Sequence, residues 1–201
     1  FYNPSLVSGY NETLDLTGTG LMGYISIGKI NVEIPIYHGT AESVLQRSIG
    51  HLEGTSLPVG GESTHSVLVG HRGLPSAKLF SDLNELEIGD EFKVYVMNRE
   101  LTYQVDQIVT VLPNQSQELL IENGEDYCTL LTCTPYGINT HRLLVRGTRI
   151  DNIIDYNKYI TSEAYVIDKL FVSICLAIPI LLILVIYIII KPSNKNKKEE
   201  L

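Results

Sequence analysis

The feature that most constrains this chain is a long apolar run close to its C-terminus. Residues 170–190 contain no charged side chain over 21 positions. As a helix this run would be about 31 Å long, which is roughly the thickness of the hydrocarbon core of a bilayer. Buried helices of soluble proteins rarely reach this length without a charge, and the interruptions at Ser173 and Pro179 are tolerated in membrane helices. We therefore predict one transmembrane helix over residues 169–191.

The residues after the run predict its orientation. Four lysines follow it closely: Lys191, Lys195, Lys197 and Lys198. Because positively charged flanks stay on the cytoplasmic side, we expect a cytoplasmic basic tail over residues 192–201 and an extracellular juxtamembrane stalk over residues 151–168. The protein is then a single-pass protein of the cell membrane with its large domain outside. That topology needs an export signal, so we expect further sequence before Phe1.

The charge of the outer domain argues against nucleic acid as a partner. Residues 1–168 hold 10 Lys and Arg against 21 Asp and Glu, a net charge near −11. A surface of this sign repels DNA and anionic membranes. Three cysteines without a CxxC pair argue against a disulfide scaffold and a zinc site. We also predict no calcium site, because an ordered ligand pattern is missing from the acidic group Glu85, Glu87, Asp90 and Glu91.

Residues 21–150 carry a succession of short strand patterns. Stretches such as residues 24–39 alternate apolar and polar side chains and are rich in β-branched residues, which is typical of half-buried strands. We predict a short helix over residues 42–49 and a hairpin that turns near Asn98 and Arg99. Seven or eight short strands with short connections indicate a closed β-barrel or a β-sandwich.

A cysteine stands where one of these strands opens into a loop. Cys133 ends the stretch DYCTLLTC, a position in which the strand fixes the backbone and the loop exposes the side chain. A free thiol in an exported domain needs a chemical reason, and nucleophilic catalysis is one. Arg142, nine residues later, would return beside it on an antiparallel strand, and His71 ends another apolar strand. A structural histidine is still the commoner role for His71 on residue type alone, so this site is one hypothesis among others.

The second cysteine of the outer domain and three of its other histidines are assigned structural roles. Cys128 lies five residues before Cys133, and an odd offset places two side chains on opposite faces of a strand. We therefore predict that Cys128 is a small buried residue without a disulfide to Cys133. Three histidines are expected to be structural as well: His51, His65 and His141.

Three separated stretches resemble the sortase family. TLLTCTPYGINTHRLLVRG is similar to the family's active-site signature, TLxTC followed by an arginine. STHSVLVGHRGLPSAKLF is similar to its catalytic-histidine segment, and HLEGTSLPVGG to a further common stretch. The resemblance covers about residues 20–150 and, with the C-terminal apolar helix, points to class C, the pilus-polymerising sortases of Gram-positive bacteria. It implies an eight-stranded β-barrel in which Cys133 is the nucleophile, His71 the general acid and base, and Arg142 the group that stabilises the oxyanion.

The resemblance also implies a reaction. Cys133 would cleave an LPxTG-like sorting signal between Thr and Gly, and a lysine amine of another pilin subunit would resolve the thioacyl-enzyme. This transpeptidation needs no cofactor. Two alternatives are a wall-anchoring sortase that uses a peptidoglycan amine, disfavoured by the C-terminal anchor, and a catalytically silent membrane-anchored scaffold, disfavoured by the intact His71, Cys133 and Arg142.

The N-terminal residues depart from the class C pattern. Such enzymes usually carry a lid with an Asp-Pro-aromatic motif, and the chain contains no Asp-Pro pair. Residues 1–20 are polar and rich in turn residues, so we predict an irregular or partly helical arm. With an aromatic residue at Phe1, we interpret this arm as the remnant of a lid region.

Overall fold

The alternating patterns of the outer domain form eight β-strands, because apolar and β-branched residues at every second position give each strand a face to bury. A computed structural model describes residues 8–15, 17–74, 78–152 and 169–190. The strands are β1 Leu21–Ile27, β2 Val32–His38, β3 Ile49–His51, β4 Thr64–Val69, β5 Glu91–Val96, β6 Arg99–Val111, β7 Asp126–Thr134 and β8 His141–Ile150.

The strands close into one barrel in the order β1, β2, β3, β4, β7, β8, β6 and β5, and β5 pairs back onto β1. Two pairs are parallel, β2 with β3 and β4 with β7, and the others are antiparallel. The prediction of a mainly β, closed eight-stranded barrel with short helices is therefore confirmed. The alternative of a sandwich is excluded by the β1–β5 pairing.

Two local predictions need correction. The helix α1 spans Glu42–Leu45 instead of residues 42–49, because Ile49 begins β3 and pairs with Ile36. The backbone at Gly50 also lies against the carbonyl of Gly39, where a side chain would collide, so this segment is set by its neighbours and not by helix propensity. Short 3-10 turns are found at Gly28–Ile30, Leu83–Glu85 and Gln117–Leu119.

The hairpin between β5 and β6 turns one residue earlier than predicted. Its two connecting residues are Met97 and Asn98, with φ of 49° and 59°. Positive φ at both central positions defines the tight turn that matches the twist of paired strands. Arg99 is already the first residue of β6.

The barrel buries side chains on both faces of β7. Its interior is filled by a large apolar cluster that includes Cys128 and Leu130, together with the stacked rings of Phe92 and Tyr103. On the outer face a second cluster joins four strands and the turn at residues 117–119, and we call it the outer cluster: Leu52, Val67, Val69, Val109, Val111, Leu119, Leu131 and Leu144. A strand covered on both sides explains why DYCTLLTC has little polar character.

The N-terminal arm is described only in part. Residues 8–14 form turns, and the Tyr10 side chain is buried against the barrel. The predicted lid remnant at Phe1 lies outside the described residues. So do most of the predicted stalk, residues 153–168, and the whole of the predicted tail, residues 192–201.

The chain divides into two units, Phe1–Asn152 and Ile153–Leu201. In the second unit Lys169–Ile190 forms the helix α2, whose described side chains are those of residues 173–189. Within the described part of the chain, no helix is both long enough and apolar enough to cross a membrane. The predicted membrane span over residues 169–191 therefore stays a prediction from the sequence.

Candidate active site

The connection between β7 and β8 brings Cys133 and Arg142 together. The register of these antiparallel strands makes the two residues direct cross-strand partners. Such partners have Cβ atoms about 4.5–5.5 Å apart and share a face of the sheet. The connection closes tightly because the backbone N–H groups of Ile138 and Asn139 both donate to the carbonyl of Pro135, at 3.1 and 3.0 Å. A spacing of nine residues is thus enough to return Arg142 to the thiol.

His71 reaches the same place from β4. This strand runs parallel to β7, and the last pair in their register is Val69 with Leu131. One residue further on, the backbone N–H of Gly70 still donates to the carbonyl of Leu131 at 3.0 Å. Continued by two residues, the register brings His71 level with Cys133 on the neighbouring strand.

All three side chains project from the outer face of the barrel. Side chains two positions apart on a strand share a face. Each candidate stands two positions from an apolar residue of the outer cluster: Val69 before His71, Leu131 before Cys133 and Leu144 after Arg142. These six residues line one cavity of about 460 Å³, closed on one side by residues 113–116. The cavity therefore has an apolar floor with a thiol, an imidazole and a guanidinium at one end.

The polar contacts of the site orient two of these groups. Nε2 of His71 lies 3.3 Å from Oε1 of Glu42, with side chains 28% and 66% exposed. Nη1 of Arg142 donates to the carbonyls of Asn139 and His141 at 3.2 and 3.0 Å. Glu42 was missed by the sequence reasoning, because a carboxylate at the start of a short helix carries no signal of a distant histidine.

Cys128 occupies the opposite face of β7. It lies in the barrel interior with 1% of its surface exposed. Burial raises the pKa of its thiol, so Cys128 stays protonated and cannot act as a nucleophile at neutral pH. Cys133 is half-buried at the cavity. The two cysteines are both free, as the odd spacing between them predicts.

Two of the other histidines are buried and neutral. Nε2 of His51 donates to the carbonyl of Ser56 at 2.8 Å, and burial lowers the pKa of His51 to about 4. The His65 ring lies between the carbonyl of Leu120 and the hydroxyl of Thr129, at 2.8 and 2.7 Å. Burial lowers its pKa as well. Both rings hold loops onto the barrel.

His141 lies at the start of β8, where Nδ1 is 2.9 Å from the hydroxyl of Thr140. It is not among the residues that line the cavity.

The acidic group near β5 serves an ion pair. Nζ of Lys29 lies 3.0 Å from Glu87 and 2.8 Å from Asp90. Glu85 ends a 3-10 turn and Glu91 begins β5. Among the described residues, no group of three or more His, Cys, Asp or Glu side chains is arranged to hold a metal ion.

Comparison with known proteins places this site in a family. The sortase domain profile matches residues 25–150, which contain all of the barrel except the start of β1, together with His71, Cys133 and Arg142. The chain therefore belongs to the sortase family of cysteine transpeptidases.

The solved structures that it resembles include sortases of class C. Sortase C1 from Streptococcus agalactiae is 64% identical, with a TM-score of 0.70 over 71% of this chain and 74% of that one. Sortase C1 from Streptococcus suis is 54% identical, with a TM-score of 0.69 over 73% and 81%.

Among curated proteins the similarity is more distant. Sortase D of Bacillus subtilis is 29% identical over 131 residues, which are 64% of this chain and 63% of that protein. Sortase A of Bacillus anthracis is 29% identical over 144 residues, or 72% and 66% of the two chains. The chain thus spans slightly less than two thirds of the length of either relative.

Proposed function

We propose that this chain is a pilus-polymerising sortase that cleaves an LPxTG-like sorting signal and transfers its acyl part to a lysine amine of another pilin subunit. The observation that carries the proposal is the convergence of His71, Cys133 and Arg142 at one end of an apolar cavity. An extended peptide with apolar side chains fits such a floor, and its scissile bond would lie at the polar end. The likeness to sortase C of Streptococcus pneumoniae, which is 58% identical and whose structure is described in terms of pilin substrate specificity, supports pilin as the substrate class.

The first half of the reaction forms a thioester. The thiolate of Cys133 attacks the carbonyl carbon of the substrate threonine and forms a carbon–sulfur bond. Arg142 is the cation nearest in the strand register, so its guanidinium would stabilise the negative oxygen of the tetrahedral intermediate. His71 then donates its proton to the glycine amine as the carbon–nitrogen bond breaks.

The second half reverses these steps with a new amine. His71, now neutral, accepts a proton from the incoming lysine amine as that nitrogen attacks the thioester carbon. Cys133 leaves as the thiolate, and a new amide bond joins two subunits. Every atom comes from the enzyme or the two peptides, so the reaction requires no cofactor.

The test is to detect the acyl-enzyme and its acceptor. The 201-residue chain, kept in a non-ionic detergent, is incubated with an LPxTG peptide and analysed by mass spectrometry after digestion. We expect the acyl adduct on Cys133 and its discharge by a pilin lysine peptide. Discharge by an oligoglycine amine alone would instead indicate wall anchoring, and the absence of any adduct would leave the scaffold alternative.

We also propose that the protein is held in the cell membrane by residues 169–191, with the barrel outside and the lysine-rich tail in the cytoplasm. The support is the uncharged run and the basic residues after it. In intact cells, a membrane-impermeant maleimide should label Cys133, and a C-terminal tag should resist external protease. Release of the protein by an alkaline carbonate wash would contradict membrane insertion.

A further inference from the structure

The residue after His71 is an arginine, Arg72, whose three guanidinium nitrogens all donate hydrogen bonds. Nε of Arg72 donates to the carbonyl of Ser81 at 3.2 Å, and Nη2 donates to Oδ1 of Asn84 at 2.6 Å. Nη1 donates to the hydroxyl of Thr134 at 3.1 Å. Two of these bonds stay within the loop that follows His71, and the third crosses to the end of β7.

The crossing bond lies beyond the end of the strand ladder. The described backbone hydrogen bonds between β4 and β7 end at the N–H of Gly70. His71 follows that point, where the backbone of β4 leaves the sheet, whereas Cys133 and Thr134 are still paired with β8. A second contact joins the same two loops, because a side chain at Gly73 would collide with the ring of Tyr136. The loop after His71 and the loop after Cys133 are thus packed together.

We propose that Arg72 is a positioning residue that sets the distance between the imidazole of His71 and the thiol of Cys133. This inference rests on the proposed function, since it assigns Arg72 a role in the same reaction. Arg72 touches neither substrate nor reacting atoms. It acts by tying the backbone next to His71 to Thr134, the neighbour of Cys133.

The geometry requires an arginine. A guanidinium is planar and holds its donors in a fixed fork, whereas an ammonium keeps the charge but does not fix three directions. With a lysine, the bonds to Ser81, Asn84 and Thr134 could not all be made in their present directions. A displacement of about 1 Å between reacting groups can lower a rate by about 10²-fold.

The test compares the two ends of the crossing bond. The variants are Arg72→Lys, Thr134→Val and the double variant, all as the 201-residue chain in detergent, assayed for kcat and KM with an LPxTG peptide. We expect each single variant to lower kcat about tenfold or more with KM within about threefold. The double variant should be no slower than Arg72→Lys, because both changes remove the same bond between Arg72 and Thr134.

Two controls separate positioning from general stability. Arg146 forms a bidentate pair with Asp106 on the same face of β8 but four residues along the strand from Arg142 and outside the cavity, so Arg146→Lys should lower the melting temperature and leave kcat unchanged. Asn84→Ala removes a bond within the loop and should lower kcat less than Thr134→Val does. Two results would overturn the proposal. One is a kcat for Thr134→Val equal to that of wild type. The other is a fold-loss of kcat in the double variant equal to the product of the losses in the two single variants.

A second measurement is independent of the sorting peptide. Alkylation of Cys133 by iodoacetamide, followed by peptide-resolved mass spectrometry, reports the thiolate that a nearby imidazolium stabilises. At pH 7 the rate should fall at least about threefold in Arg72→Lys and in Thr134→Val. If the wild-type protein fails to cleave the peptide, the proposed function is refuted, but the alkylation rates still test the role of Arg72. Equal alkylation rates in wild type and both variants would overturn the role of Arg72.

Discussion

Acid should destabilise the barrel through its buried histidines, and His51 is the one whose pKa burial lowers to about 4. Its ring is fully buried, with Nε2 facing the carbonyl of Ser56 at 2.8 Å and Nδ1 facing the hydroxyl of Tyr10 at 2.8 Å. A carbonyl only accepts, so Nε2 carries the proton and the neutral ring accepts from Tyr10 through Nδ1. Burial lowers the pKa of His51 from 6.5 to about 4.

The difference between the pKa of His51 in the unfolded and the folded protein sets the sign and size of the change in stability with pH. Between about pH 4 and 6.5 the unfolded chain binds a proton at His51 that the folded protein does not, so stability falls as the pH falls through this window. The full contribution is about 3 kcal/mol, since a difference of one in pKa corresponds to about 1.4 kcal/mol. Between pH 7 and pH 5 about 2 kcal/mol of it is lost.

Urea unfolding at the two pH values measures this loss. The chain has 12 tyrosines and no tryptophan, so tyrosine fluorescence follows the transition in detergent. The His51→Gln variant has no titratable ring at this position. Between pH 7 and pH 5 its free energy of unfolding should fall by about 2 kcal/mol less than that of wild type. This corresponds to a shift of the urea midpoint that is smaller by about 1 M.

The matched control is His141→Gln, a change at a histidine outside the barrel core. Its free energy of unfolding should fall between pH 7 and pH 5 by as much as that of wild type. An equal loss in wild type and His51→Gln would refute the assignment of the acid sensitivity to His51.

Three further outcomes concern the site. Cys133→Ala should abolish the acyl-enzyme seen by mass spectrometry with an unchanged circular dichroism spectrum, and Cys128→Ala should retain it; the reverse would contradict the choice of nucleophile. Arg142→Lys should lower kcat/KM by about 10²-fold, the scale of a lost oxyanion donor, and a value within threefold would show that only charge matters. Glu42→Gln should change kcat/KM less than about fivefold, because exposed ion pairs contribute at most about 1 kcal/mol, and a larger loss would show that Glu42 is needed to orient His71.

The strands could be predicted because each one shows its own local pattern. The closure of the barrel could not, since it depends on β1 meeting β5, and nothing in the alternation of either strand reports a partner some 70 residues away. The helix predicted over residues 42–49 failed for the same reason. The residues suit a helix, but Ile49 gains a parallel neighbour in Ile36, and pairing within a sheet overrides local propensity.

The site was predictable to a similar extent. The approach of Arg142 to Cys133 follows from a short spacing and an antiparallel return. The approach of His71 requires the parallel pairing of β4 with β7, which the sequence did not predict; the family resemblance assigned His71 to the site without it. Glu42 and Arg72 gave no signal in the sequence, because their roles depend on side-chain bonds across loops.

The placement of the three groups depends on strand register, so residues far from the cavity also matter to it. A slip of one residue between β7 and β8 would turn Arg142 to the opposite face from Cys133. That register is held at Gly147, where any side chain would collide with Phe92 in the core. On the other side, the Thr132 hydroxyl donates to the carbonyl of Gly70 at 2.7 Å and ties β7 to the end of β4.

The barrel therefore holds Cys133 and Arg142 in the last paired positions of β7 and β8, and His71 extends two residues past the end of β4. The strand register fixes the backbone positions of these residues, but few contacts hold the side of the site that faces the cavity. Loop contacts such as those of Arg72 with Thr134 extend the alignment to where the chemistry takes place. The reacting side chains can thus face an open cavity while the backbone that carries them stays in place.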